Sequence, residues 1–302
     1  MITVLGSINM DLIATVTRLP KPGETVTGDH FVTAPGGKGA NQALAARRAG
    51  ATVSMAGACG EDEFAVPALT YLRFDSVNLD RVKSASTATG VALIFVGADG
   101  ENVIAIVAGA NGTVSAEDAR AAVAGMKRGD TLMLQMEVPA AAIEAALAAA
   151  RDKGITSIVN IAPITPDAKR LAEMADIVIA NETEFELFCG SSGLDAGTRE
   201  VQMLKINRER KQTVIVTLGA DGVVAARNGA VHRAKGLEIE PVDTVGAGDT
   251  FCGYLAAGLD QGLKFDVALR RAAIAGSLAC LKAGAQPSIP LQADVDHHLK
   301  AS

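Results

Sequence analysis

The stretch TLMLQMEVPAAAIEAALAAARDKGITSIVNI, residues 131–161, decides the fold class. Thr131–Met136 is a short apolar run without alternation. Pro139 suits the start of a helix, Ala140–Lys153 is rich in strong helix formers, and Gly154 is the residue on which helices commonly end. Ser157–Ile161 is a second apolar run. The same unit repeats downstream, with a helix over Asp167–Met174, a strand over Ile177–Ala180 and a helix beginning over Glu182–Phe188. A further helix around 198–211 leads into a strand over Val214–Leu218. Short apolar strands that alternate with helices and do not alternate within themselves belong to a parallel sheet covered on both faces. The expected class is therefore α/β, a doubly wound, mostly parallel sheet sandwiched by helices.

Two other regions lack helical period. Residues 12–35 carry Pro20, Pro22, Gly23, Gly28 and Pro35 around β-rich pieces, Thr25–Thr27 and Phe31–Thr33. Residues 89–107 read as a hairpin, Val91–Val96, a turn at Gly97–Gly100, and Asn102–Val107. They predict a small all-β unit made of two inserts, approximately 10–35 and 88–110, within one domain over 1–302. Val91–Val96 is apolar on both faces, which a lone small sheet cannot bury. It needs the α/β body, a ligand or a second copy of the chain against it; a central strand covered within one chain is the plainer reading, and a homodimer through this sheet is the expectation.

Composition narrows the function classes. The chain has 302 residues, 49% hydrophobic and 21% charged, with a formal net charge of -6, which excludes a disordered chain. Net acidity without a Lys/Arg run argues against nucleic acid and anionic membranes as partners. Four Cys without a C-x-x-C pair make neither a disulfide scaffold nor a zinc site; Cys59, Cys189, Cys252 and Cys280 are expected to be buried, reduced thiols. Met1–Leu12 has no basic segment before its apolar run, and Glu144 interrupts the Ala-rich helix. A cytoplasmic protein with no membrane span is expected. With no Trp, two Tyr and eight Phe, few rings are available to stack a base.

In open α/β sheets ligands sit beyond the carboxyl ends of the strands. The polar residues there are Asn9 and Asp11, Glu137, Asn181, Glu182 and Glu184, and Thr217 with Gly219. Each alone has a plainer reading as a loop residue or helix cap. The sharpest segment is DTVGAGDTF, 243–251, which opens a helix marked by Phe251, Leu255 and Leu259. A Gly-x-Gly turn before free helix amides suits an anion such as phosphate. Asp249 at that helix start could cap its own helix, or could accept a proton from an attacking hydroxyl. Neither a Walker A loop nor G-x-G-x-x-G is present, since Phe251 stands where the third Gly would be. A second Gly-rich segment, Gly36–Gln42, opens the helix Ala40–Arg48. Its paired Gly would admit a polyhydroxy ligand to the main chain, Asn41 can donate and accept, and Lys38 could meet a phosphate or water.

Taken together, GSINMD at 6–11, GGKGANQA at 36–43, ANETEFE at 180–186, TLGADG at 217–222 and DTVGAGDTF at 243–251 resemble the ribokinase-like carbohydrate kinases, in family order and over nearly the whole chain. GVALIFV at 90–96, GENVIAIVAGAN at 100–111 and GAQPSIP at 284–290 resemble the ribose-phosphorylating members. The resemblance implies a sugar held between the α/β body and a β lid, with Asn9, Asp11, Gly37, Lys38, Asn41 and Glu137 toward the substrate. It implies Asp249 as base and the amides of Gly246, Ala247 and Gly248 as anion hole. Asn181, Glu184, Thr217, Gly219 and Gly248 are implied on the ATP side, with Asn181 and Glu184 reaching Mg2+ through water. Asp243, Val245, Ala279, Lys282, Gly284 and Ser288 are implied to hold K+, mostly through carbonyls. One position departs: Ala273 stands where a His or Asn often meets adenine, which weakens the expected hold on the base.

Three other readings compete. A nucleoside kinase would want aromatic lid residues, and the inserts offer chiefly Phe31 and Phe95. A sugar-phosphate kinase would want extra cations in the pocket; Arg18 and Lys21 lie in the first insert with nothing to aim them. A sugar-binding regulator on a kinase fold should have lost the Gly turn or Asp249, and both are intact.

Overall fold

The structure, a computed structural model, describes residues 1–301. Its strands, in chain order, are β1 (Ile2–Leu5), β2 (Asn9–Val16), β3 (Gly28–Gly36), β4 (Val53–Gly60), β5 (Asn78–Ala85), β6 (Gly90–Gly97), β7 (Asn102–Val107), β8 (Thr131–Leu134), β9 (Thr156–Asn160), β10 (Ile177–Asn181), β11 (Thr213–Thr217), β12 (Val223–Arg227) and β13 (Ala230–Ala234). Nine form one sheet in the order β13-β12-β11-β10-β9-β8-β1-β4-β5. The pairs from β5 through β11 are parallel, and the hairpin β12–β13 adds an antiparallel edge.

Burial explains why the central strands do not alternate. Ile177 and Ile179 enter one core, with the helices 38–48, 247–260 and 265–279. Val178 and Ala180 enter a second core on the opposite face, with the helices 140–153 and 182–189. A strand covered on both faces must be apolar at every position. The helix 140–153 ends as the sequence predicts, on Gly154 at φ 64°. The helix expected over 167–174 is shorter, Ala168–Ala172.

The four remaining strands form a separate sheet, β3-β2-β6-β7, in which β2 and β6 are parallel and the outer pairs antiparallel. This is the expected β-rich unit, with one correction. Thr25–Thr27 lies outside it, because β3 begins only at Gly28. Pro20, Pro22 and Gly23 occupy the connection instead, where Pro removes ladder donors. Only three residues, 6–8, separate β1 from β2, so this sheet springs directly from the rim of the large one.

The thiols divide. Cys59 and Cys252 are buried as expected, whereas Cys189 and Cys280 are only half-buried; all four are free. No helix among the described residues is long and apolar enough to cross a membrane.

Candidate active site

From β1 the chain runs outward to β4 and β5 on one side and later returns through β8 on the other. The boundary between β1 and β8 is thus the switch point, where a crevice opens beyond the strand ends. Its residues follow from the strands: Ser7 and Asn9 after β1, Gln135 and Glu137 after β8, Asn160 ending β9, Asn181 ending β10 and Thr217 ending β11. A cavity of about 210 Å3 lies here, lined among others by Lys38, Asn181, Glu184, Thr217, Gly248 and Asp249.

The helix 247–260 starts at this cavity. Gly246 is its N-cap at φ 77°, no side chain caps it, and a Cβ on Gly246 would lie 2.9 Å from Ala285 Cα. Around Gly248 a Cβ would meet nothing within 4 Å, so that face is open. Asp249 is the third helical residue and only 7% exposed. It does not cap its own helix. Its Oδ2 accepts from Asn41 Nδ2 at 2.9 Å and its Oδ1 from Gln42 Nε2 at 3.0 Å. The two helices can come this close because of Gly253, one turn on from Asp249, where a Cβ would lie 2.6 Å from Gln42 O.

Gly36 and Gly37 are explained by the protein's own atoms. A side chain on Gly36 would strike the Asp11 carboxylate. Gly37 has φ 90°, and a Cβ on it would lie 2.8 Å from Asn9 N and 2.9 Å from Ser7 O. The helix that follows starts at Lys38, two residues earlier than expected. Glu137 Oε2 accepts from Lys38 N at 3.1 Å and from the Ser7 hydroxyl, which fixes the Glu137 carboxylate at the root of the small sheet. Asn9 Oδ1 accepts from buried Asn111 Nδ2 at 2.7 Å.

The electrostatics are crowded. Burial in the first place, then the Glu137 and Asp249 charges, raise the Asp11 carboxyl to about 7, and Lys38 opposes them. The Asp249 charge, followed by those of Glu137 and Glu184, holds the Lys38 ammonium above its usual range against burial. Cys252 lines the cavity, and burial first, then Asp249 and Glu184, push its thiol well above the usual range. It is a neutral wall rather than a nucleophile.

On the opposite side of the cavity Asn181 caps the helix 182–189 in a reciprocal box. Glu184 N donates to Asn181 Oδ1 at 2.8 Å and Asn181 N to Glu184 Oε2 at 2.9 Å. Capping and a place at the cavity therefore coexist in these residues. Behind the helix start, Asp243 joins two loops. Its Oδ1 accepts from Val245 N at 3.0 Å and its Oδ2 from Gly284 N at 2.8 Å. Ser288 Oγ donates to Ala285 O, Ala279 ends the helix 265–279, and Lys282 N donates to Ala279 O at 3.5 Å. Gly219, at φ 56°, follows β11 beside Thr217 at the open rim. Ala273 packs in the core on the helix 265–279, and its carbonyl accepts from Ser277.

The model of the pfkB family carbohydrate kinases matches residues 1–292. The chain belongs to that family. It is similar to a ribokinase of Haemophilus influenzae, 36% identical over 290 residues, covering 96% of this chain and 95% of the relative. A deoxyribokinase of Salmonella typhi is 33% identical over 96% of this chain and 95% of its own. Among solved structures, Arabidopsis thaliana ribokinase complexed with ribose and ATP superimposes with a TM-score of 0.88 at 30% identity, covering 100% of this chain and 99% of that one. The pfkB membership makes this chain a carbohydrate kinase, a phosphotransferase with an alcohol acceptor.

Lys38, Asn181, Glu184, Thr217, Gly246, Gly248 and Asp249 thus line one cavity, and Asp11 and Glu137 stand at its edge by the root of the small sheet. Motif reading passes over Gln42, Gln135 and Asn160. Gln42 stands inside GGKGANQA, and that was its only signal; Gln135 and Asn160 end strands in apolar context.

Proposed function

We propose that this kinase transfers the γ-phosphate of ATP to the 5-hydroxyl of D-ribose, with Asp249 as the base. The observation that supports this most is the placement of Asp249. It is buried and held at both oxygens, between an uncapped Gly-rich helix start and the cluster Asp11, Glu137 and Lys38. Asp11, Glu137, Asn9 and Asn41 offer carboxylate and amide groups to vicinal hydroxyls, with Gly37 behind them. Asp249 takes the proton as the hydroxyl oxygen forms its bond to phosphorus and the bond to ADP breaks. The amides of Gly246, Ala247 and Gly248 and the Lys38 ammonium stabilise charge on the transferring group.

Asn181, Glu184, Thr217 and Gly219 face the nucleotide. Among the described residues no group of three or more His, Cys, Asp or Glu side chains converges on a metal. Asn181 and Glu184 fit Mg2+ through water, as a cation that keeps its hydration shell requires. When bound, it would neutralise phosphate charge. Asp243, Val245, Ala279, Lys282, Gly284 and Ser288 would hold K+, mostly through carbonyl oxygens; the support is that Asp243 ties Val245 and Gly284 together and Ala285 packs against Gly246.

The small sheet acts as a lid within a single domain, and it pairs with a second copy. Phe31, Leu93, Phe95 and Val103 lie on one of its faces and Val32, Ile104 and Ile106 on the other, all exposed. Apolar area of this kind on both faces fits a homodimer contact.

A panel of D-ribose, 2-deoxyribose, fructose, adenosine and pseudouridine, assayed for ADP release with and without K+, tests the reading. Ribose is expected to give the highest kcat/KM and K+ to raise kcat. A higher value for 2-deoxyribose or a nucleoside would overturn the substrate assignment, and equal rates without K+ would remove the cation loop.

A further inference from the structure

We propose that Gln42, steered by Gln135 and Asn160, is the positioning residue that sets the orientation of the Asp249 carboxylate. The proposal rests on Asp249 being the base. Gln42 and Gln135 are 1% and 0% exposed and take no part in lining the cavity. Gln135 Nε2 donates to Gln42 Oε1 at 2.7 Å. Gln42 Nε2 donates both to Asp249 Oδ1 at 3.0 Å and to Asn160 Oδ1 at 3.2 Å. Asn160 Nδ2 donates in turn to Ile179 O at 3.2 Å, which commits its oxygen to the role of acceptor. Both ends of the Gln42 amide are therefore decided by neighbours at the ends of two central strands, Gln135 just past β8 and Asn160 closing β9. A flipped amide would set its oxygen against two acceptor oxygens.

The arrangement has a cost that packing alone does not explain. Gln135 Oε1 is buried without a partner, over the backbone of Gly6, where any side chain would collide. Buried polar groups disfavour folding unless paired, and apolar side chains would fill the same space. What the amides supply is a second point of attachment. The χ2 torsion of an Asp is soft and roughly two-fold. Asn41 alone would pin Oδ2 and leave the carboxylate free to turn; Asn41 and Gln42 together fix its plane. A base displaced by about 1 Å can lose on the order of 100-fold in rate.

The test compares Gln42→Met, Gln135→Met, the double variant and Gln135→Glu with wild type, alongside melting temperatures. Gln42→Met is expected to lower kcat by about 10- to 100-fold while both KM values stay within about twofold. The double variant should be no slower than Gln42→Met, because the two residues act in series. Gln135→Glu keeps the shape. Ionised, it turns the Gln42 amide away from Asp249; protonated, it can donate as Gln135 does. Its kcat relative to wild type should therefore rise as pH is lowered from about 8.5 to about 6. A packing role predicts lower melting temperatures with kcat per folded molecule unchanged and no such pH trend, and that result overturns the proposal. Asp249→Asn separates the two levels. If it retains full kcat, the base assignment fails. If it is inactive while Gln42→Met stays within about twofold of wild type, the positioning role alone fails.

Discussion

The rim of the large sheet and the outer strands of the small one break the same rule in opposite directions. The rim gathers charge, with the Glu137 and Asp249 carboxylates close enough to raise both the Asp11 carboxyl and the Lys38 ammonium. The small sheet exposes apolar side chains, Phe31 at 63% and Val103 at 53%. Both departures cost something, in stability at the rim and in solubility at the sheet. Each is offset only when something else arrives, a polar ligand in one case and an apolar surface in the other. Asp11 stands on β2, where the two regions meet, so the small sheet carries a buried carboxylate at its root and exposed apolar side chains farther out.

The sharpest break of the rim is Asp11→Asn. Losing a charged acceptor of sugar hydroxyls should raise the ribose KM by about 10- to 100-fold. The ligand-free protein should respond the other way. The folded Asp11 carboxyl is raised to about 7 from its ordinary 3.8, so the folded state binds the extra proton between those values. Stability from this group is greatest below that window and falls as pH rises through it. Asp11→Asn should therefore stabilise the empty protein more at pH ~8 than at pH ~5, by on the order of 1–3 kcal/mol. Denaturant melts at the two pH values check the sign; equal gains would show that Asp11 ionises normally. A smaller effect is expected at the other region. Phe95→Asp should weaken self-association about 30-fold or more in sedimentation measurements, as loss of an apolar anchor does. An unchanged assembly state would remove the small sheet from the interface.

Much of this was legible before the structure, for physical reasons. The helix 140–153 has its punctuation in Pro139 and Gly154, and the hairpin 90–107 has Gly97 and Gly100 around its turn. These are local signals. The antiparallel edge β12–β13 carries one too, Asn228-Gly229, whose positive φ angles of 51° and 77° make the two-residue turn, although the motifs pass over it; only its place beside β11 is set by distant pairing. Thr25–Thr27 has β propensity but no strand beside it. At the site, Asp249 and the Gly turn stand in one contiguous segment. Gln42, Gln135 and Asn160 are scattered over more than a hundred residues, and their meaning exists only once three elements converge.

The central claim is that Asp249 takes the proton from the sugar hydroxyl at this crevice. Its most direct test is the formation of ribose 5-phosphate from ATP and D-ribose by the wild-type protein and by Asp249→Asn. The account predicts turnover by the wild type and a kcat about 100- to 10,000-fold lower in the variant, with both KM values little changed. A variant that turns over ribose as fast as the wild type would contradict it.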